Sequence, residues 1–545
     1  MKPSLPQNDP SPQTRENWLQ RNRKDYEFDH SFLPPMPLLK NLPQQESFSA
    51  KYIAERLAAT ADLQVNLLAA KFNSFWDPLD EFQDYEDYFP ILPRPGVIKT
   101  YETDDSFAEQ RLCGVNPLVL QKIKEMPQNF AFTIEDLQNK FGSSVNLQQE
   151  LDNGNLYLAD YTKLSFVQGG TYERGRKYLP TPLAFFCWRS SGFSDRGELV
   201  PIAIQINPGK NSPIRTPFDN PLDWFYAKIC VQIADGNHHE ISSHLCRTHL
   251  VMEPFAIVTA RQLAQNHPLG LLLRPHFRFL LANGDLARKR LIGRGDYVDQ
   301  LFAGTLQESL EIVTSSYKEW SFDQFAMPTE IKNRGMDDVA SLPHYPYRDD
   351  GMLVWNAIKS FVSNYLNIYY KTPEDISSDT ELQAWAQELV SNEGGRIKGM
   401  PDRIGTVQQL VDIATTIIFT CGPQHAAVNY PQYEYMAFVP NMPLAAYKQI
   451  TEEGAIADRK SLLSFLPPPK RIADQLSLIY ILTAYRYDRL GYYDEQFDDE
   501  EAQGAVEKFH QDLNAVELKI SLNNRHRLVE YNYLKPRLIP NSISI

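Results

Sequence analysis

Apolar positions recur along most of the chain with the period of a helix. From about Phe48 to Phe72 they fall at Ile53, Leu57, Leu63 and Leu67, and that spacing predicts helix. Residues 155–210 break the rhythm. Short runs such as L-Y-L-A-D-Y and L-V-P-I-A-I-Q-I, with turn residues between them, predict strands. After Pro221 the helical pattern returns, and Asp223 to Gln262 reads as one long broken helix in which Pro254 removes a backbone donor. The first 45 residues, including Pro34, Pro35 and Pro37, follow neither period and read as extended or irregular chain. The pattern predicts a mainly α protein with a minor β component. A proline-rich extension over residues 1–45 precedes one large domain over 46–545.

Composition narrows the picture. A chain of 545 residues can bury a substantial core, and length alone suggests several domains. No low-complexity linker and no internal repeat divides it. The net charge of −14 argues against nucleic acid or an anionic membrane as an electrostatic partner. The five cysteines are scattered, odd in number and without a C-x-x-C, so no disulfide framework is expected. The polar start lacks the features of a signal peptide, and no apolar run reaches the roughly 18–20 residues of a membrane span. The expected setting is the cytoplasm. The acidic run Asp498 to Glu501 lacks EF-hand spacing and reads as a solvated face.

Candidate chemistry begins with His239, His244 and His249, each five residues from the next in H-H-E-I-S-S-H-L-C-R-T-H. On an ideal α-helix that spacing leaves successive side chains about 140° apart. Two of these imidazoles can share one ion only if the helix widens locally to a π turn, and such turns concentrate at functional sites. The run also departs from the zinc-protease pattern H-E-x-x-H by one extra residue. Taken singly, a buried histidine is more often a hydrogen-bonded core side chain than a ligand.

A second segment reads I-I-F-T-C-G-P-Q-H-A-A-V-N-Y-P-Q-Y, where His425 and Asn429 stand four apart and project from one face of a helix. An asparagine in an apolar run must satisfy its amide, by a core hydrogen bond or by coordination through its carbonyl oxygen. Imidazoles plus an amide oxygen, with no cysteine cluster, suit iron, manganese or zinc. The chain closes L-I-P-N-S-I-S-I, with no charged side chain after Arg537. Such a tail can be drawn inside, where the carboxylate of Ile545 needs a cationic partner.

Together these segments resemble the lipoxygenase family. The resemblance rests on H-x4-H-x4-H followed by Glu253 to Phe255, on the H-A-A-V-N-Y-P-Q-Y run, and on the terminal P-N-S-I-S-I. It extends to Asp105–Pro117, similar to a substrate-region motif, and to His267–His276, Leu286–Arg288, Tyr345–Trp355 and Glu381–Leu389. The resemblance implies a helical catalytic domain with long central metal-binding helices, of the one-domain bacterial type without an N-terminal β-sandwich. It implies one non-heme iron, or manganese on almost the same donors, held by His244, His249, His425, Asn429 and the Ile545 carboxylate. His239, Glu240 and Gln432 then stand behind the ligands, with Glu240 at a position where plant relatives often carry glutamine.

The activity so implied is dioxygenation. A bis-allylic hydrogen leaves a polyunsaturated fatty acid of linoleate, linolenate or arachidonate type, and O2 adds to give a conjugated-diene hydroperoxide, an oxylipin. Ala287, Leu291, Val298, Phe302 and Leu482 fall where relatives shape the fatty-acid and oxygen pocket, and alanine at 287 leans to S products. Met442 stands where some plant relatives pair an arginine with the substrate carboxylate. A manganese form, a hydroperoxide-processing form and a non-catalytic lipid-binding protein are the alternatives. A monomer is expected, with peripheral membrane contact through the first predicted helix or the aromatics from Trp76 to Phe89.

Overall fold

A computed structural model describes residues 2–76, 79–142, 145–173, 175–190, 197–209, 211–449, 456–493 and 497–545, with residues 73–76 described for their backbone alone. One helix runs through its centre. It begins as an α-helix at Pro221–His238, widens to a π-helix at His239–Leu250, and resumes as α at Val251–Gln262. Residues Asp223 to Asn237 are all buried, so this helix meets protein on every side. The expected long helix is present, but it runs on through Pro254 without a break, and its irregularity is the π stretch instead. A second central helix, Val407–Phe419, also passes through a π turn at Thr420–Gln424 before continuing as His425–Asn429. Pro423 lies inside that turn, where its missing N–H breaks the regular ladder. Helix Pro346–Tyr369 packs on Val407–Phe419 and on Glu500–Asn524. Asp499, from the acidic run, caps the last of these by accepting from Glu501 N.

The main β component is a five-stranded antiparallel sheet, beside two short two-stranded pairs. Its order is Gln121–Lys122, Leu156–Asp160, Leu183–Arg189, Glu198–Gln205 and Ile214–Arg215. Alternation divides its side chains between two cores. Tyr157, Ala159, Ala184, Phe186 and Trp188 join the main core, whereas Leu156, Leu158, Leu183, Phe185 and Cys187 join a smaller one. The sheet is therefore covered on both faces.

The start of the chain corrects one expectation. Residues Pro12–Asp25 form a helix, α1, packed on Val251–Gln262, rather than irregular chain. Its Arg15 is nearly buried, with Nη1 2.6 Å from Asp9 and Nη2 3.0 Å from Glu381. An ion pair holds the segment where hydrophobic period is weak. The next predicted helix is two helices, α2 (Ala50–Ala59) and α3 (Ala61–Trp76), divided at Thr60. Leu63, Asn66 and Ala70 of α3 face inward, but Ile53 and Leu57 of α2 are 47% and 67% exposed. Their spacing marks the helix but not which of its faces is buried. The aromatics Phe82, Tyr85, Tyr88 and Phe89 are core residues, which removes them as membrane anchors; the side chain of Trp76 lies outside the described residues.

Candidate metal centre

The two π turns face each other; the first carries His244 and His249, and the second leads directly into the helix that begins at His425. In the first, the i→i+5 repeat brings residues five apart onto one face, so His244 and His249 converge. Nε2 of His249 lies 3.3 Å from Nε2 of His244, and Nε2 of His425 also lies 3.3 Å from Nε2 of His244. The three rings form the one group of histidine, cysteine or carboxylate side chains close enough to share an ion among the described residues, with ligand atoms within 4.8 Å of one another. A metal about 2.1 Å from each nitrogen would set neighbouring nitrogens about 3 Å apart.

The chemistry of these nitrogens fits a cation. Nδ1 of His244 is 3.0 Å from Oε2 of Glu240, which places the ring hydrogen there and leaves Nε2 a bare lone pair. Burial holds the His244 imidazole down to about 3 and pushes His249 and His425 well below the ordinary 6.5. Neutral lone pairs aimed at one another repel unless a positive ion lies between them. Burial lifts Glu240 to about 7, against the pull of neighbouring His239. All five cysteines are buried, none belongs to this group, and the donor set is nitrogen and oxygen.

His239 does not join the cluster. Its Nε2 bonds the carbonyl oxygen of Val428 at 2.8 Å, tying the first π-helix to the segment that carries Asn429. Asn429 is fully buried, donates from Nδ2 to Leu482 O at 2.7 Å, and accepts at Oδ1 from Gln432 Nε2 at 2.9 Å. That oxygen keeps a second lone pair. Glu240 and Gln432 thus reach different members of the set, one on His244 and the other on Asn429. Leu482 serves Asn429 through its backbone carbonyl, a contact that reading it as an apolar clamp did not foresee.

The tail is drawn inside. Ser542, Ile543, Ser544 and Ile545 are all buried, and Ile545 packs with Tyr52, Phe279 and Tyr485. His276 Nδ1 bonds Asn541 O at 2.8 Å, and Asp488 accepts from Asn541 N at 2.8 Å. Gly422 of the second π turn leaves room for the tail: a Cβ there would stand 2.9 Å from Pro540 O.

Ala287, Leu291, Val298 and Phe302 lie along one folded segment. Ala287 O accepts from Leu291 N at 2.9 Å, Leu291 O from Val298 N at 3.0 Å, and Val298 O from Phe302 N at 3.3 Å. Phe302 is buried and the other three are half-buried. Phe279 precedes the helix that carries Ala287 and holds φ at 62°, a left-handed conformation that costs a bulky residue about 1 kcal/mol or more.

Two contributions were not read from the sequence. Asn116 and Arg111, within the run likened to a substrate motif, brace the first π-helix. Arg111 Nη1 is 2.7 Å from Asp235, Asn116 Nδ2 donates to the same carboxylate at 2.7 Å, and Ser243 Oγ donates to Asn116 Oδ1 at 2.9 Å. The second is Tyr52, whose hydroxyl donates to Ser544 O at 2.6 Å. An arginine beside the apolar Leu112, three residues before Gly114, was a signal of sorts; Tyr52 offered none.

Comparison with known proteins agrees with this geometry. The Lipoxygenase family profile matches residues 62–536. The allene oxide synthase-lipoxygenase protein of Plexaura homomalla is 33% identical over 93% of this chain, which spans only 50% of that protein. The polyunsaturated fatty acid lipoxygenase ALOX15B of Homo sapiens is 32% identical over 93% of this chain and 75% of its own length. A lipoxygenase crystallised anaerobically in complex with arachidonate superposes with a TM-score of 0.93 at 31% identity, covering 100% of this chain and 84% of its own.

Proposed function

We infer that this chain, which belongs to the lipoxygenase family and is a fatty-acid dioxygenase, holds one iron ion between His244, His249, His425, Asn429 and the carboxylate of Ile545. The convergence of three imidazole Nε2 atoms, with those of His249 and His425 each 3.3 Å from that of His244, carries this reading. Iron is chosen over manganese on family grounds, and metal analysis of the purified protein separates them. The overall reaction joins a polyunsaturated fatty acid and O2 into a conjugated-diene hydroperoxide.

When bound, the metal supplies one-electron chemistry able to take a hydrogen atom from a bis-allylic CH2. The protein supplies the rest. Glu240 holds the Nδ1 hydrogen of His244, fixing its tautomer and making the ring a stronger donor. Gln432 and the Leu482 carbonyl orient the Asn429 amide from opposite ends. His239, by bonding Val428 O, ties the first π-helix to the helix that carries His425 and Asn429. The segment Ala287–Phe302 and Leu482 are the assigned walls of the fatty-acid and oxygen pocket, with Ala287 favouring S products. The catalytic domain is taken as residues 46–545, acting as a cytoplasmic, bacterial-type monomer that forms oxylipins and meets membranes peripherally. No helix of the described residues is long and apolar enough to cross a membrane.

Ultraviolet absorbance on mixing metal-loaded protein with linoleate in air tests the reading. Growth of the conjugated diene, with one O2 consumed for each, is the expected result. A flat trace from protein with full metal content would overturn it.

A further inference from the structure

The π-helix that carries His244 and His249 has a second polar face. Its i→i+5 repeat also aligns Ser242 with Arg247, and His238 stands four residues before Ser242. All three line one cavity of about 400 Å³, together with Lys163, Trp320 and Ser316 of helix Leu306–Glu319. Neither the converging histidines nor the residues assigned to the fatty-acid pocket line it.

Hydrogen-bond donors exceed acceptors around this cavity. Asn116 Nδ2 donates to the Asp235 carboxylate at 2.7 Å, which fixes it as the amide nitrogen. Its contact with His238 Nδ1 at 3.2 Å therefore makes that ring nitrogen an acceptor. Burial lowers His238 to about 4, so the ring is neutral and its one hydrogen sits on Nε2, where no acceptor among the described residues meets it. Trp320, 5% exposed, carries an indole N–H that also has no partner among them. Arg247 gives Nη2 to Glu330 and leaves its Nε–H unpaired. Ser316 Oγ donates to Ser242 Oγ at 2.7 Å, so the Ser242 hydroxyl keeps a hydrogen to give. Lys163 stands at the rim, 2.6 Å from Glu319, in an exposed pair that costs little to open. Buried donors without acceptors are costly, and a ligand rich in acceptors relieves that cost.

We propose that this cavity binds a small organic oxyanion, a carboxylate or a phosphate monoester, with its charged end at His238, Ser242 and Trp320. The apolar remainder of the ligand lies against Leu164, Phe166 and Ile312, which supply the cavity's apolar wall. An oxyanion answers several N–H and O–H donors at once, and each such bond is stronger than one to a neutral acceptor. Arg247 and Lys163 add positive charge beside it. The volume falls at the lower end of the range for small-molecule sites and suits a ligand of one ring or a short chain.

Titration calorimetry of the metal-loaded protein tests the proposal, with phenyl phosphate, benzoate and neutral benzamide as probes. At least one of the two anions should bind with a Kd of about 1 mM or tighter, and the tighter of them identifies the oxyanion. Benzamide should bind about tenfold or more weakly than that anion, and the anion should raise the melting temperature. The double variant Ser242→Ala, Ser316→Ala removes the hydroxyl pair, and Trp320→Phe keeps an aromatic ring but removes the indole N–H. Each should weaken anion binding about tenfold, with metal content and the melting temperature of the free protein unchanged. If one variant melts lower than the parent, the other decides. No binding of either anion, equal binding of benzamide, or parental affinity in both variants would overturn the proposal. Parental affinity in both would place the anion at the metal centre instead.

Discussion

Tyr52 and Ser544 are 492 positions apart in the chain, yet the tyrosine hydroxyl donates to the serine carbonyl at 2.6 Å. Arg56 Nη1 in turn donates to the same hydroxyl at 2.9 Å. Phe48 and Phe279 clasp the tyrosine ring with centroids 4.6 Å away in each case. Tyr52→Phe keeps that packing and removes only the hydrogen bonds, at a cost of about 1 kcal/mol. With Ile545 as a ligand, the tail becomes a looser donor and metal loss to a chelator accelerates roughly fivefold. Tyr485→Phe is the matched control, because Tyr485 bonds Glu55 rather than the tail. Equal rates of metal loss in both variants would separate Tyr52 from the metal centre.

Replacement of the histidines should sort them by role. His244→Ala and His425→Ala each remove one of the converging nitrogens and should yield protein with little bound metal. His239→Ala breaks the bond to Val428 O but removes no member of the cluster, so metal should remain while the melting temperature falls. Glu240→Gln retains an acceptor for His244 but loses its charge, and metal affinity should drop by about tenfold. Metal content of each purified variant, measured beside its melting curve, decides the matter. Metal retained in His425→Ala would displace that residue from the ligand set.

The centre of this site was legible because its residues are local in sequence. Five-residue spacing of histidines is incompatible with a shared face on an α-helix, and the π turn it demanded is present at His239–Leu250. Two strands were legible for the same reason, since the short apolar runs L-Y-L-A-D-Y and L-V-P-I-A-I-Q-I fall on Leu156–Asp160 and Glu198–Gln205. What escaped was non-local. Tyr52 meets the tail across almost the whole chain, and Asn116 meets Ser243 across another fold-level distance. Periodicity also cannot tell an apolar face turned to the core from one turned outward: Leu63 is buried, whereas Ile53 and Leu57, on the same spacing, are exposed. Helix α1 was missed because a buried ion pair anchored through Arg15, rather than an apolar stripe, fastens it to the body.

Product hand is the next expectation. Ala287 O anchors the turn that leads to Leu291 by accepting from Leu291 N and Ile292 N at 2.9 and 3.1 Å. Its side chain is one methyl group, and the resemblance assigns that methyl to shielding one end of the pentadiene. Ala287→Gly removes the shield with little other change, costing the helix about 1 kcal/mol. Chiral chromatography of the linoleate hydroperoxides should show mainly S product from the parent chain and a larger R share from the variant. An unchanged ratio would take Ala287 out of the oxygen pocket.

Asp379 provides the pH-dependent test of stability. It is fully buried, and it accepts from His267 Nε2 at 3.0 Å, Tyr370 hydroxyl at 2.7 Å and Leu382 N at 2.9 Å. Burial by itself would raise its pKa, but the facing His267 and these hydrogen bonds hold the carboxyl below the ordinary 3.8. A group whose pKa is lower folded than unfolded stabilises the protein above its unfolded value and loses that contribution as pH falls through the folded one. Asp379→Asn strands His267 and should cost about 3 kcal/mol near neutral pH. The gap in melting temperature between parent and variant should hold steady down to about pH 4 and narrow below it. A gap that widened in acid, or none at all, would mean that Asp379 is not charged in the folded protein.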